Sequence, residues 1–146
     1  MTALVDSSVL VDYLRGHPGA VDLLERERST GLLHASEITR LDVLVGMRRA
    51  EEQPTRDLLS TFSWHAVDAT VAEKAGELGR RWLPSHQGID GADLAIAATA
   101  VLLDARLLTM NVQHFPMFTN LSQPYDALRR QVVHAQARMT CGPSLA

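Results

Sequence analysis

Asp6 and Asn111 each stand directly behind a short apolar stretch, residues 2–5 and residues 106–110. Asp42 and Asp93 each stand three residues after a residue suited to cap a helix, Thr39 and Asp90. Two carboxylates about 4 Å apart repel by about 4 kcal/mol at an effective dielectric of about 20. Three together therefore demand a cation, a shared proton or intervening water. An all-oxygen set of this kind suits Mg2+ or Mn2+ and not zinc. Such an ion keeps waters, takes a phosphate oxygen, and acts as a Lewis acid and a source of hydroxide for in-line attack at phosphorus.

Each residue also has a plain structural explanation. Asp42 and Asp93, as third residues of helices, can reach back to the cap amide and favour the helix dipole. Asp90 reads as a cap, and Asp6 and Asn111 suit turns. The functional explanation depends on convergence. Strand C-termini and the first turns of the following helices share one edge of a parallel α/β sheet, where ligands bind.

The elements that must hold these residues can be read from the pattern. Strands are expected at residues 2–5, 32–35, 64–67 and 106–110. Helices are expected at 8–15, at 18–28 with Pro18 in the first turn, at 40–51 behind Thr39, at 54–61, at 69–83 and at 91–103. This alternation predicts an α/β fold: a central parallel sheet of about four or five strands flanked by helices. The fifth would be a short edge strand in the irregular stretch holding Pro116 and Pro124. At 146 residues the chain is expected to form a single domain over 1–146, with its core at about 2–125 and a C-terminal helix or tail at 126–146.

Composition and motif searches narrow the function. Apolar types make up 46% of the chain, enough for a core and against intrinsic disorder. A formal charge of −3 offers nucleic acid no global basic field, although 13 of the 14 cations are arginine. The single cysteine, Cys141, excludes an internal disulfide and fits a reducing compartment. The start, MTALVDSS, has neither the basic nor the apolar region of a targeting signal. The longest nearly apolar run, residues 94–103, falls short of the roughly 20 residues that span a bilayer. A cytoplasmic protein without membrane attachment is expected. The sequence contains no P-loop, no Gly-x-Gly, no His-Glu-x-x-His or Cys/His zinc pattern, and no Gly-x-Ser-x-Gly elbow. Position 8 is Ser, which argues against a phospho-aspartate phosphatase, and no lysine follows a late strand as a receiver domain would need.

Three stretches, LVDSSVLVDYLRG, ITRLDVLVGMRR and DLAIAATAVLLDARLLTMNVQHF, in this order and spacing, resemble the PIN-domain family and within it the VapC-type toxins of prokaryotic toxin–antitoxin pairs. The resemblance covers roughly residues 4–124. By it, Asp6 matches the first metal-binding acid, Asp93 the acid that opens Asp-x-x-Ile-Ala-Ala, and Asn111 the Asp or Asn after the Thr-x pair. Ser8 matches the small hydroxyl residue supporting the first acid. Relatives usually carry Glu where this chain has Asp42, so its shorter side chain would reach a metal through water; Glu37 is the other acid nearby. His114 stands where an acid is common, to replace it, to contact phosphate, or simply to lie exposed.

The resemblance implies a magnesium-dependent endoribonuclease, with Mn2+ able to substitute, that cuts structured cellular RNA. It also implies a VapB-like antitoxin whose tail blocks the acidic pocket, and a homodimer. Arg15, Arg48 and Arg49 are the candidates by position to face RNA, or simply to face solvent. Leu23, Leu24 and the helix carrying Leu41 offer apolar surface for antitoxin or dimer packing, or simply core. Two other readings stand beside this one: a catalytically weakened module that binds RNA or a protein partner without cutting, and a DNA-directed nuclease of related architecture.

Overall fold

Short strands and helices alternate through the computed structural model of the chain, which describes residues 1–127. The strands are β1 (Ala3–Val5), β2 (Leu33–Ser36), β3 (Ser63–His65) and β4 (Arg106–Leu108). The helices are α1 (Ser7–Leu14), α2 (Pro18–Thr30), α3 (Glu37–Val45), α4 (Glu52–Leu59), α5 (Ala69–Trp82) and α6 (Gly91–Leu102). The strands form one parallel sheet in the order β3-β2-β1-β4.

β1 is buried at every position, as a central strand covered on both faces must be. Its alternation divides the core. Ala3 and Val5 join Val9, Leu10, Leu24 and Leu33 on the face covered by α1 and α2. Leu4 joins Ile96, Ala97, Ala100, Leu107 and Phe115 on the α6 face. Every residue of α6 from Leu94 to Ala100 is buried, and its alanines let the helix lie close to the sheet. α5 packs on the other side of α6, where a Cβ at Gly79 would meet Leu94 Cδ1 at 3.1 Å.

This topology gathers several element ends at one edge. β1 passes through Asp6 into α1. β2 runs without a loop into α3, so that Ser36 both ends the strand and caps the helix, accepting the Ile38 amide at 3.2 Å. β4 leads through Thr109 and Asn111 into a 3-10 turn, Val112–His114.

Two expectations need correction. The third helix begins at Glu37 and ends at Val45 before Gly46, so Thr39 is a buried helix residue and not the cap. Asp42 therefore sits in the second turn, beyond reach of the cap amide. Among the described residues the sheet has four strands, and residues 117–124 run outside β4 without pairing to it. Pro116 before that stretch and Pro124 at its end carry no ladder donors, and the Gln123 side chain reaches the Met110 carbonyl at 3.1 Å instead. Tyr125 then anchors the chain near the turn between α1 and α2 by donating to Asp12 Oδ2 at 2.7 Å. The expected C-terminal helix or tail lies, from residue 128 onward, outside the described residues.

Candidate active site

Asp6 is the most rigidly held of the candidate residues. It is 3% exposed and caps α1, its Oδ1 accepting the Ser7 amide at 2.8 Å. Its Oδ2 accepts from Thr109 Oγ1 at 2.7 Å and from Ser8 Oγ at 3.0 Å. Those hydroxyls are themselves fixed, because Ser8 Oγ accepts the Met110 amide and Thr109 Oγ1 accepts the Asn111 amide, each at 3.0 Å. The carboxylate thus ties the end of β1 to the end of its neighbour β4. Ser8, a candidate from the sequence, is hydrogen-bonded to the acid. Sequence reasoning missed Thr109 and Ser7. Thr109 was visible only once β4 was known to pair directly with β1.

Ser7 links the second acid to the first. Its Oγ lies 3.3 Å from Asp42 Oδ2 and 3.4 Å from Asp6 Oδ1. Asp42 titrates above its ordinary range. Enclosure by neighbouring protein is the main cause, opposed by the Ser7 hydrogen bond and reinforced by the charges of Asp6 and Asp90.

The third acid stands at the start of α6. Asp90 Oδ1 accepts the Asp93 amide at 2.8 Å and Asp93 Oδ2 accepts the Asp90 amide at 3.2 Å, a reciprocal cap. Burial pushes Asp93 up to about 6. The Asp90 amide and the neighbouring His114 counter that rise, and the charges of Asp90 and Asp6 add to it. His114 Nδ1 approaches Asp93 Oδ2 to 3.2 Å. The capping explanation for Asp90 and Asp93 is therefore correct as structure, and it coexists with a shared acidic field.

Asp6, Asp42 and the pair Asp90 and Asp93 come from three separate segments, and the charges of Asp6 and Asp90 act on both Asp42 and Asp93. Other candidates are not drawn in. Asn111 is exposed, and its side chain does not cap the turn it begins. Arg15 caps the far end of α1, roughly 13.5 Å along the helix from Asp6 at about 1.5 Å per residue. Arg48 and Arg49 are exposed on the turn beyond α3. Glu37 is paired with Arg40 at 2.6 Å. The acids line an open edge, whereas a cleft of about 510 Å³ lies elsewhere, between β4 and residues 117–124.

Among the described residues, no three His, Cys, Asp or Glu side chains stand close enough together to hold a metal ion as placed. The donor chemistry still fits a hard divalent cation. Carboxylates disfavoured in their charged form by enclosure and by one another's charge suit a cation, and Mg2+ characteristically needs only one or two carboxylates, completing its shell with water and phosphate.

Residues 3–115, which include each of these acids, match the PIN domain. The chain belongs to the PIN-domain family. It is 44% identical over 123 residues to Ribonuclease VapC19 of Mycobacterium tuberculosis, covering 84% of this chain and 98% of that one. Ribonuclease VapC10 of the same organism is 41% identical over 122 residues, covering 84% and 92%. Among solved structures, a toxin–antitoxin complex from Klebsiella pneumoniae superposes with a TM-score of 0.72 at 30% identity, covering 86% of this chain and 99% of that one. The four-stranded parallel sheet with its flanking helices is the PIN fold, as the sequence suggested. Among the described residues, no helix of this PIN domain is long and apolar enough to cross a membrane.

Proposed function

We propose that the chain is a divalent-metal-dependent endoribonuclease and the toxin of a toxin–antitoxin pair. The observation that carries this reading is the shared acidic field of Asp6, Asp42 and Asp93, in a chain 44% identical to a named ribonuclease over almost all of that protein's length. Asp6 and Asp93 would hold the ion, Mg2+ or in its place Mn2+, with Asp42 acting through water and Asn111 at the rim. When bound, that ion supplies Lewis-acid activation of a phosphodiester and of an attacking water.

The chain's own residues set the stage for that step. Thr109 and Ser8 hold the Asp6 side chain in place through two hydroxyl donors. Ser7 orients Asp42 toward the same space. Arg15, Arg48 and Arg49 lie outside the acid cluster, where they would engage RNA phosphates at a distance from the scissile bond. The reading extends to structured cellular RNA as substrate, a VapB-like antitoxin and a homodimer in the cytoplasm.

The partner surface is narrower than the sequence suggested. Leu23 and Leu24 are core residues at 3% and 0% exposure, whereas Leu41 and Val45 on α3 are 55% and 78% exposed. Of the two surfaces named, the face of α3 is therefore the one exposed to an antitoxin or a second copy.

The deciding experiment is RNA cleavage by purified, antitoxin-free protein with Mg2+ or Mn2+. Wild type should cut RNA, and Asp6→Asn and Asp93→Asn should each abolish cutting while circular dichroism stays native. Unchanged rates in either variant would discard the assignment. The exposed, shortened Asp42 and the absence of a ready three-ligand group among the described residues favour a second reading, a module that binds RNA or a protein without cutting. RNA binding without cleavage at saturating metal would establish it, and RNA–DNA competition would expose a preference for DNA.

A further inference from the structure

His114 faces Asp93 from a turn fixed by the core. It ends the 3-10 turn that begins behind Asn111, and its amide donates to the Asn111 carbonyl at 3.0 Å. The next residue, Phe115, is 1% exposed and packed with Leu4, Ile96 and Ala97, so the turn is pinned to the core beneath α6. This anchoring aims His114 Nδ1 at Asp93 Oδ2, 3.2 Å away, with the imidazole still one-third exposed on its open side. A nitrogen donor and an oxygen donor thus meet at the rim of a field otherwise built from carboxylates.

We propose that His114 is a direct ligand of the active-site ion and tilts this site from Mg2+ toward Mn2+. The inference rests on the metal-dependent reading above and names a residue of that same site. Mg2+ is hard and favours an octahedron of oxygens, while imidazole donors strengthen binding of first-row transition ions. A mixed Asp93–His114 pair therefore raises Mn2+ affinity more than Mg2+ affinity. The neighbouring charges of Asp6 and Asp90 keep the site attractive to a small dication and limit how far the preference can move.

The test uses the full chain near neutral pH and does not depend on activity. Mn2+ binding is followed by electron paramagnetic resonance, with Mg2+ as competitor, and pulsed spectra are recorded for nitrogen hyperfine coupling to the bound Mn2+. Wild type should show a directly coordinated histidine nitrogen. His114→Ala should lose that coupling and weaken Mn2+ binding by at least about tenfold, the scale reached even by removing groups that only steady a ligand. His114→Asp should also lose the coupling and regain Mg2+ affinity, narrowing the preference between the two ions.

Mn2+ bound without nitrogen coupling in wild type overturns the role of His114 and leaves the acidic metal site standing. Coupling that persists in His114→Ala overturns it equally, and assigns the nitrogen to another histidine, with His34 and His65, whose ring nitrogens lie 2.8 Å apart, the first to substitute. Mn2+ binding that is indifferent to both Asp93→Asn and Asp6→Asn removes the underlying metal site, and this proposal with it.

Discussion

A carboxylate 3% exposed is tolerable only when donors replace the water it has lost, and Asp6 receives three close ones, from the Ser7 amide and the hydroxyls of Ser8 and Thr109. Thr109→Val keeps the shape of that buried position and removes one donor. It should cost about 1–3 kcal/mol, read as a lower denaturation midpoint, and slow RNA cleavage, with Thr109→Ser recovering most of both. Asp93 makes the opposite case, because its carboxyl is raised from 3.8 to about 6 by burial and like charge. Between those values the metal-free folded state binds more protons than the unfolded state. The contribution of Asp93 to stability is therefore fully present below pH 3.8 and is lost as pH rises through about 6. Asp93→Asn keeps an acceptor for the Asp90 amide and removes the charge. Metal-free melts across that window should show a shallower decline for the variant, and identical slopes would refute the coupling. The sequence made Asp6 and Asp93 visible because acids behind a strand and in a first helical turn are readable patterns. Ser7 and Thr109 were not visible, because their roles depend on which strands and helices become neighbours.

Element boundaries show where local pattern misleads. Thr39, three residues before Asp42, imitates a capping arrangement, but β2 feeds α3 directly and the strand's last residue, Ser36, takes the cap. Asp42 is therefore freed from the helix end and presented at the second turn, where Ser7 can reach it. α6 was legible almost residue by residue, since Asp90 caps it and the run behind is apolar throughout. The contact made by Tyr125 was not legible, being a matter of distant packing. Its ring lies where a Cβ on Gly19 would sit, 2.8 Å from Tyr125 Cβ. Gly19→Ala must push Tyr125 away from the α1–α2 turn. It should destabilise the fold by about 1–3 kcal/mol, the usual cost of overpacking. Removing the ring with Tyr125→Ala in the same chain should cancel part of that loss, and a simple sum of the two single effects would show that the clash is not the cause.

At the scale of the whole molecule, the PIN sheet converts local repulsion into linkage between metal binding and folding. Three segments far apart in sequence carry Asp6, Asp42 and Asp93, so the repulsive field exists only when β1, α3 and α6 are assembled. An ion that relieves this field binds the folded state and not the unfolded chain. At a concentration about 100 times its dissociation constant it should add about 2.7 kcal/mol, which for a domain of this size corresponds to about 5–11 °C in melting temperature. The gain should grow with the logarithm of Mn2+ or Mg2+ concentration and vanish in Asp6→Asn. It should also fade as pH drops below about 6, because a proton on Asp93 competes with the ion. A scan of melting temperature against metal concentration at neutral and at mildly acidic pH separates this from general salt screening. Screening would act alike at both pH values and in the variant, and an equal shift in all three conditions would break the link between the acidic edge and the fold.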